Sequence, residues 1–309
     1  MRPKPTPVHN NSLKYTSKTH IFLYINYLAI ALDIAAISFK FDSDNIGITA
    51  HYVDWLVEAM RKCGEQEGRL PELVLSAGYT CVDVAGLAVL EREFGGKPVA
   101  LAVEMLDPTD NPLTGPSRHK RCGQLYVIGG GGSSRLEPRQ QFSSTGNVTE
   151  DRAEKVVDGL APNGSRRFPV QSKQVGWIEC GEINVLCCQN GGHGNGVRVR
   201  YEAHEQRFFE AMTSLDIVLN PQHTRMSRLH LLRRKVEALS TGTIIRAPSG
   251  KYWPVYVGTT NWNRARQLRS QSNLQCVMRD GRRLPPRDII ETENYILSLF
   301  SVDMPQRVG

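Results

Sequence analysis

Apolar runs of strand length alternate with amphipathic stretches of helix length along most of this chain, and that alternation limits its fold more than any other feature. A buried first strand is expected from near Ala29 to Phe39. Tyr52 to Lys62 then sets Val53, Leu56, Val57 and Met60 on one helical stripe. Leu73-Val74-Leu75 reads as a short buried strand. Asp83 to Phe94 restores a helical face through Val84, Leu87, Ala88 and Leu90. Pro98 to Met105 and Gln124 to Ile128 are strand-like and flank a polar connection at 107–123. From Gly129 to Val170 the only regular element expected is a helix at Glu150 to Leu160. Beyond it come a strand at Val175 to Glu179, a helix at Glu205 to Ser214, a strand at Leu215 to Leu219 and a helix at Arg228 to Ser240. Short strands are expected at Thr243 to Ile245, Pro254 to Val257, Leu274 to Met278 and Ile296 to Val302. Strands interleaved with one-faced helices pack as a layered α/β domain, and periodicity alone goes no further than that class.

A chain of 309 residues can bury a large core, and the pattern assigns 28–309 to a single domain, with 1–27 as an extension. The apolar run Ile21 to Phe39 is long enough to raise the question of a membrane span. Asp33 in its middle would then sit in lipid at a cost of about 3 kcal/mol, whereas a buried strand needs only the apolar run around it. The net charge of +7 comes from basic segments such as Arg118 to Arg121 and Arg279 to Arg287. No aromatic stacking residues are interleaved with them, so neither a nucleic acid nor a membrane is an expected partner. Seven cysteines, an odd number in a chain that needs no staples, are expected to be reduced, which fits a cytoplasmic location. Cys187-Cys188 with His193 lacks a second pair of ligands, so no metal site is expected there. The phosphate-loop, dinucleotide, zincin and serine-elbow patterns are all missing.

The informative segment is VGWIECGEINVL, Val175 to Leu186. A cysteine at the end of a buried strand is held rigidly at the open edge of a sheet, where a thiol can act as a nucleophile. Cys180-Gly181-Glu182, the strand LDIVLNPQH at Leu215 to His223, Arg234 and Glu237 on one helix, Val255 to Asn261, and the hairpin-like SNLQCVMRDG at Ser272 to Gly281 follow one another in that order. Together they resemble the nitrilase (carbon-nitrogen hydrolase) superfamily from about Ala29 to Pro305.

The resemblance implies a four-layer α-β-β-α sandwich and a hydrolase that cleaves a linear amide-type carbon-nitrogen bond through a cysteine thioester, with no metal or cofactor. A small-molecule amide is the implied partner, and homo-oligomers are implied as well. Cys180 holds the nucleophile position. The family's base follows a proline at the end of the second strand, but Ser76 and Ala77 stand there, which leaves Glu72 of Pro71-Glu72 as the candidate base. Gln140 stands near the place of the oxyanion-stabilising lysine. Glu182, Asn184 and His223 are candidate binding residues. These departures also admit an alternative: a catalytically degenerate member that keeps the fold for ligand binding or assembly.

Overall fold

Every second residue of Ile30–Phe41 faces a different core: Leu32, Ile34 and Ala36 join one apolar cluster, and Ala35, Ile37 and Phe39 another. A strand that is apolar on both faces has to lie inside the molecule. In the computed structural model, which describes residues 30–41, 51–106, 123–129, 132–136, 140–142, 144–189, 196–223, 229–263 and 274–304, it is the central strand β1. It pairs in parallel with β2 (Leu73–Ser76) and antiparallel with β16 (Tyr295–Met304). The first sheet extends through β3 (Ala100–Leu106), β4 (Gly123–Gly129) and β5 (Gly132–Leu136) on one side and β15 (Asp288–Glu291) on the other. β12 (Trp262–Asn263) pairs with the end of β1.

The second sheet runs in the order β14 (Arg282–Leu284), β13 (Gln275–Arg279), β11 (Val255–Thr260), β10 (Ile217–Gln222), β7 (Lys173–Trp177), β6 (Arg167–Val170). A small hairpin, β8 (Leu186–Cys188) with β9 (Val197–Val199), stands apart.

Three buried clusters define the layers. Leu32, Leu75, Val175, Trp177, Leu219 and Val257 fill the space between the two sheets. The stripes of α1 (His51–Glu67) and α2 (Val84–Phe94) cover the outer face of the first sheet through Leu56, Met60, Leu87 and Leu90. α3 (Glu150–Leu160), α4 (Glu205–Thr213) and α5 (Leu229–Thr241) cover the second through Val156, Phe208 and Val236. The architecture is the expected four-layer α-β-β-α sandwich. Each Leu-sized side chain buried in these interfaces contributes about 1.5–3 kcal/mol.

The structure corrects the sequence reading in places. The segment expected to be irregular also contains β5 and β6. Thr243 to Ile245 forms a single bridge, Val197 to Ile244, in place of a strand, because Gly242 at φ +71° turns the chain away after α5. Residues 1–27 lie outside the described residues. Asp33 sits in the central strand with Arg69 bonded to its carboxylate and Arg287 at 3.3 Å, which offsets its burial. No helix among the described residues is long and apolar enough to cross a membrane.

Candidate active site

β7 ends at Trp177, and the chain then breaks sharply into a short 3-10 turn at Cys180–Val185. Cys180 itself is at φ +28°, a backbone setting that side chains other than glycine rarely adopt. Such strain persists only where the surroundings enforce it. Here the restraints come from two sides. Asn220, pointing outward from β10, donates its amide to Ile178 O at 2.7 Å and to Cys180 O at 3.1 Å. The amide oxygen of Asn220 in turn accepts from the Tyr256 hydroxyl and from Gln222. On the other side, Glu182 accepts the backbone N–H of Glu179 at 2.8 Å and that of Gln141 at 2.5 Å, and both its oxygens are held by Arg166 at 2.5 and 2.8 Å. Arg166 and Glu182 are both fully buried.

Across the sandwich, β3 presents a single charged side chain in an otherwise apolar strand. Leu101, Val103 and Met105 face the helices and Ala102 faces the second sheet, so Glu104 also points between the sheets. On β10 the inward residues are Ile217 and Leu219, and the same alternation carries His223 inward just past the strand end. The two side chains meet: His223 Nε2 lies 2.9 and 2.8 Å from the two Glu104 oxygens. The Tyr79 backbone N–H donates to Glu104 Oε2 at 2.9 Å, and the Tyr79 ring stacks on the imidazole with centroids 3.6 Å apart.

Glycines make the close approach possible. A Cβ at Gly78 would stand 2.2 Å from His223 Cδ2, and one at Gly123 would stand 1.7 Å from Glu104 Oε1. The Cys180 sulfur lies close enough to the imidazole to bear on its charge. Burial alone would push the His223 pKa down, but the Glu104 carboxylate and the Cys180 sulfur outweigh it and hold the pKa well above the ordinary range.

Glu179, adjacent to the cysteine, completes the cluster. Trp177 Nε1 donates to its Oε2 at 2.7 Å, while Oε1 stands 3.5 Å from His223 Nε2. Burial and the nearby Glu104 push its carboxyl well above the usual carboxylate range. Glu104, Glu179 and His223 are the one group among the described residues that could hold a metal ion. His193 of the Cys187-Cys188-His193 pattern lies outside the described residues.

The sequence-derived candidates fare differently. Cys180 and His223 come together. Glu72 does not join them: it sits before β2, where it accepts the Asp33 N–H at 2.7 Å and pairs with Arg69 at 2.6 Å. The site lies beyond the other end of that strand, about 16 Å along an extended chain, so the expectation that Glu72 serves as base is corrected. Where the family's base would follow β2, the Ser76 and Thr80 hydroxyls bond each other and Thr80 also donates to Ala77 O.

Glu182 and Asn184, expected to bind a ligand, have structural partners instead. Glu182 is taken up by Arg166 and two backbone amides. Asn184 donates to Gly181 O and accepts from Lys235 Nζ at 2.6 Å, whose pKa burial depresses to about 8. Gln140 is buried with its Nε2 unpartnered, one residue before the Gln141 amide bonded to Glu182. Arg234 and Glu237 lie on α5, and Glu237 lines a separate cavity of about 400 Å³ under that helix, together with Gln222, Tyr256 and Cys276.

No protein-family model matches the sequence, and no curated protein matches it. Solved structures do. A CN-hydrolase superfamily protein from Xanthomonas campestris is similar over 88% of this chain and 91% of its own, at 12% identity and a TM-score of 0.49. An amidase from Nesterenkonia sp. is similar over 87% and 90%, at 12% identity and a TM-score of 0.44. A glutamine-dependent NAD(+) synthetase from Cytophaga hutchinsonii is similar over 88% of this chain and 43% of its own, at 10% identity and a TM-score of 0.43.

Proposed function

We propose that the chain is a divergent nitrilase-superfamily hydrolase that cleaves a linear amide-type carbon-nitrogen bond, with Cys180 as nucleophile and His223 and Glu104 in place of the missing base and lysine. One observation carries this reading: an imidazole paired with a buried carboxylate from the facing sheet and standing beside a thiol at a strained strand end. A nucleophile, a proton carrier and a group that orients the carrier are the parts such chemistry needs.

The Cys180 sulfur adds to the amide carbonyl carbon as its proton passes to His223, and the carbonyl electron pair moves onto oxygen. The buried amide of Gln140 is the proposed donor to that oxyanion. As the tetrahedral centre collapses, the carbon-nitrogen bond breaks and the imidazolium gives its proton to the departing amine. A thioester and a neutral imidazole remain. Water then attacks the thioester carbonyl as His223 takes up its proton, the carbon-sulfur bond breaks as the imidazolium returns that proton to sulfur, and a carboxylic acid is released from the restored thiol-imidazole pair. Glu104 stabilises the imidazolium and fixes the ring throughout.

Release of ammonia or amine from a panel of short linear amides tests this. The expected result is turnover that Cys180→Ala abolishes. A folded chain that binds one of these amides without turning it over would favour the degenerate, ligand-binding alternative, for which the Ser76-Ala77 and Gln140 positions speak.

A further inference from the structure

We infer that Glu104, Glu179 and His223 form a site for one divalent transition-metal ion, and that the bound ion silences Cys180 by withdrawing His223 from it. The second half rests on the proposed hydrolase reading; the first does not. Three ligand-type atoms, one on each residue, lie within 4.8 Å of one another, and all three residues are buried. Their separations suit an ion. His223 Nε2 is 2.8 Å from Glu104 Oε2 and 3.5 Å from Glu179 Oε1, and a tetrahedral zinc about 2.1 Å from each ligand atom sets such atoms about 3.4 Å apart.

The independent observation is Glu179 Oε1. Its residue is fully buried, and this oxygen accepts no hydrogen bond. At 3.5 Å the imidazole is beyond ordinary hydrogen-bond length, and its one Nε2 hydrogen is already directed at Glu104. Glu179 Oε1 has the imidazole only as an ion-pair neighbour at 3.5 Å and accepts no hydrogen bond, so its lone pairs are open to a cation that takes the place of the Nε2 hydrogen. The set of one imidazole nitrogen and two carboxylate oxygens is of the type that holds Zn²⁺. Trp177 Nε1 and the Tyr79 amide, which donate to Glu179 Oε2 and Glu104 Oε2, supply the outer hydrogen bonds that fix ligand carboxylates. A metal on Nε2 bars the imidazolium, which needs a hydrogen on each ring nitrogen, so His223 can no longer take the thiol proton and pass it to the leaving amine, and occupancy and hydrolysis exclude each other.

Titration of chelator-treated full-length chain with zinc alone, followed by calorimetry, tests the site. The expected result is one zinc per chain, weakened at least tenfold by Glu179→Gln and by Glu104→Gln, each variant checked for native circular dichroism. Undiminished binding in a folded Glu179→Gln or Glu104→Gln variant, or no binding by the wild type, would overturn it. Alkylation of Cys180 by iodoacetamide, read by peptide mass, tests the coupling: zinc should slow it at least tenfold and chelator should restore it. Zinc bound at this site with Cys180 alkylation unchanged would overturn the regulatory half. A zinc-free chain whose Cys180 is inert to alkylation would count against the hydrolase reading alone.

Discussion

Replacing His223 by asparagine slows the alkylation of Cys180 by about 10²-fold or more at neutral pH, read in a chain with native circular dichroism because buried Glu104 loses its imidazole partner. The size follows from what a positioned proton acceptor contributes to a reaction at its partner. Asn keeps much of the volume of imidazole and can still bond Glu104, so the packing between the sheets changes little, but it cannot take the thiol proton. The other described thiols serve as internal controls. Cys187 and Cys188 stand in the separate β8–β9 hairpin, and Cys63 and Cys81 are buried in the helix-facing core of the first sheet. Peptide-resolved alkylation rates in wild type and variant check the expectation. Equal rates at Cys180 would mean that the imidazole contact does no chemical work.

The second large effect is on stability. Arg166→Met leaves Glu182 fully buried without its cation, and breaking a buried pair from one side costs about 3–5 kcal/mol. The midpoint of thermal unfolding should fall by on the order of 10 °C. Glu182 also holds the Glu179 and Gln141 amides, so the loss reaches the turn that carries Cys180. The double variant Arg166→Met with Glu182→Leu should recover much of the stability, because no charge is left stranded, yet it should not recover Cys180 reactivity. Calorimetry of the two variants separates the cost of an unpaired charge from the cost of a loosened turn.

The layers were legible in the sequence because each rests on a local pattern: helical stripes for α1, α2 and α5, and apolar runs for β1, β2 and β10. Cys180 was legible for the same reason, standing directly after an apolar strand. Of its partners, Glu104 was missed, and His223 stood only among the candidate binding residues. Glu104 lies 76 positions before Cys180 (180 − 104) in a strand read only for its apolar residues, and His223 lies 43 beyond it (223 − 180). Nothing in local periodicity brings those three together; the sandwich does, by facing β3 against β10. One signal was available, namely a lone carboxylate in ALAVEML, which a buried strand tolerates only with a partner. Glu72 was misplaced for the converse reason. Pro71-Glu72 has the right letters for the family's base, but strand direction puts them at the wrong end of β2. Glu182 shows a third limit, since a carboxylate two residues from a nucleophile reads as functional until a distant arginine, Arg166, is seen to enclose it.

The central claim is that Cys180, poised by His223 and Glu104, is the nucleophile of this fold. Reaction of the folded chain with p-nitrophenyl acetate, acid quenching and peptide mass mapping test it without knowledge of the natural amide. An acetyl thioester on Cys180, formed well ahead of any other cysteine, is the expected result. Acetylation confined to the more accessible Cys187 and Cys188, with Cys180 unmodified in a natively folded chain, would contradict it.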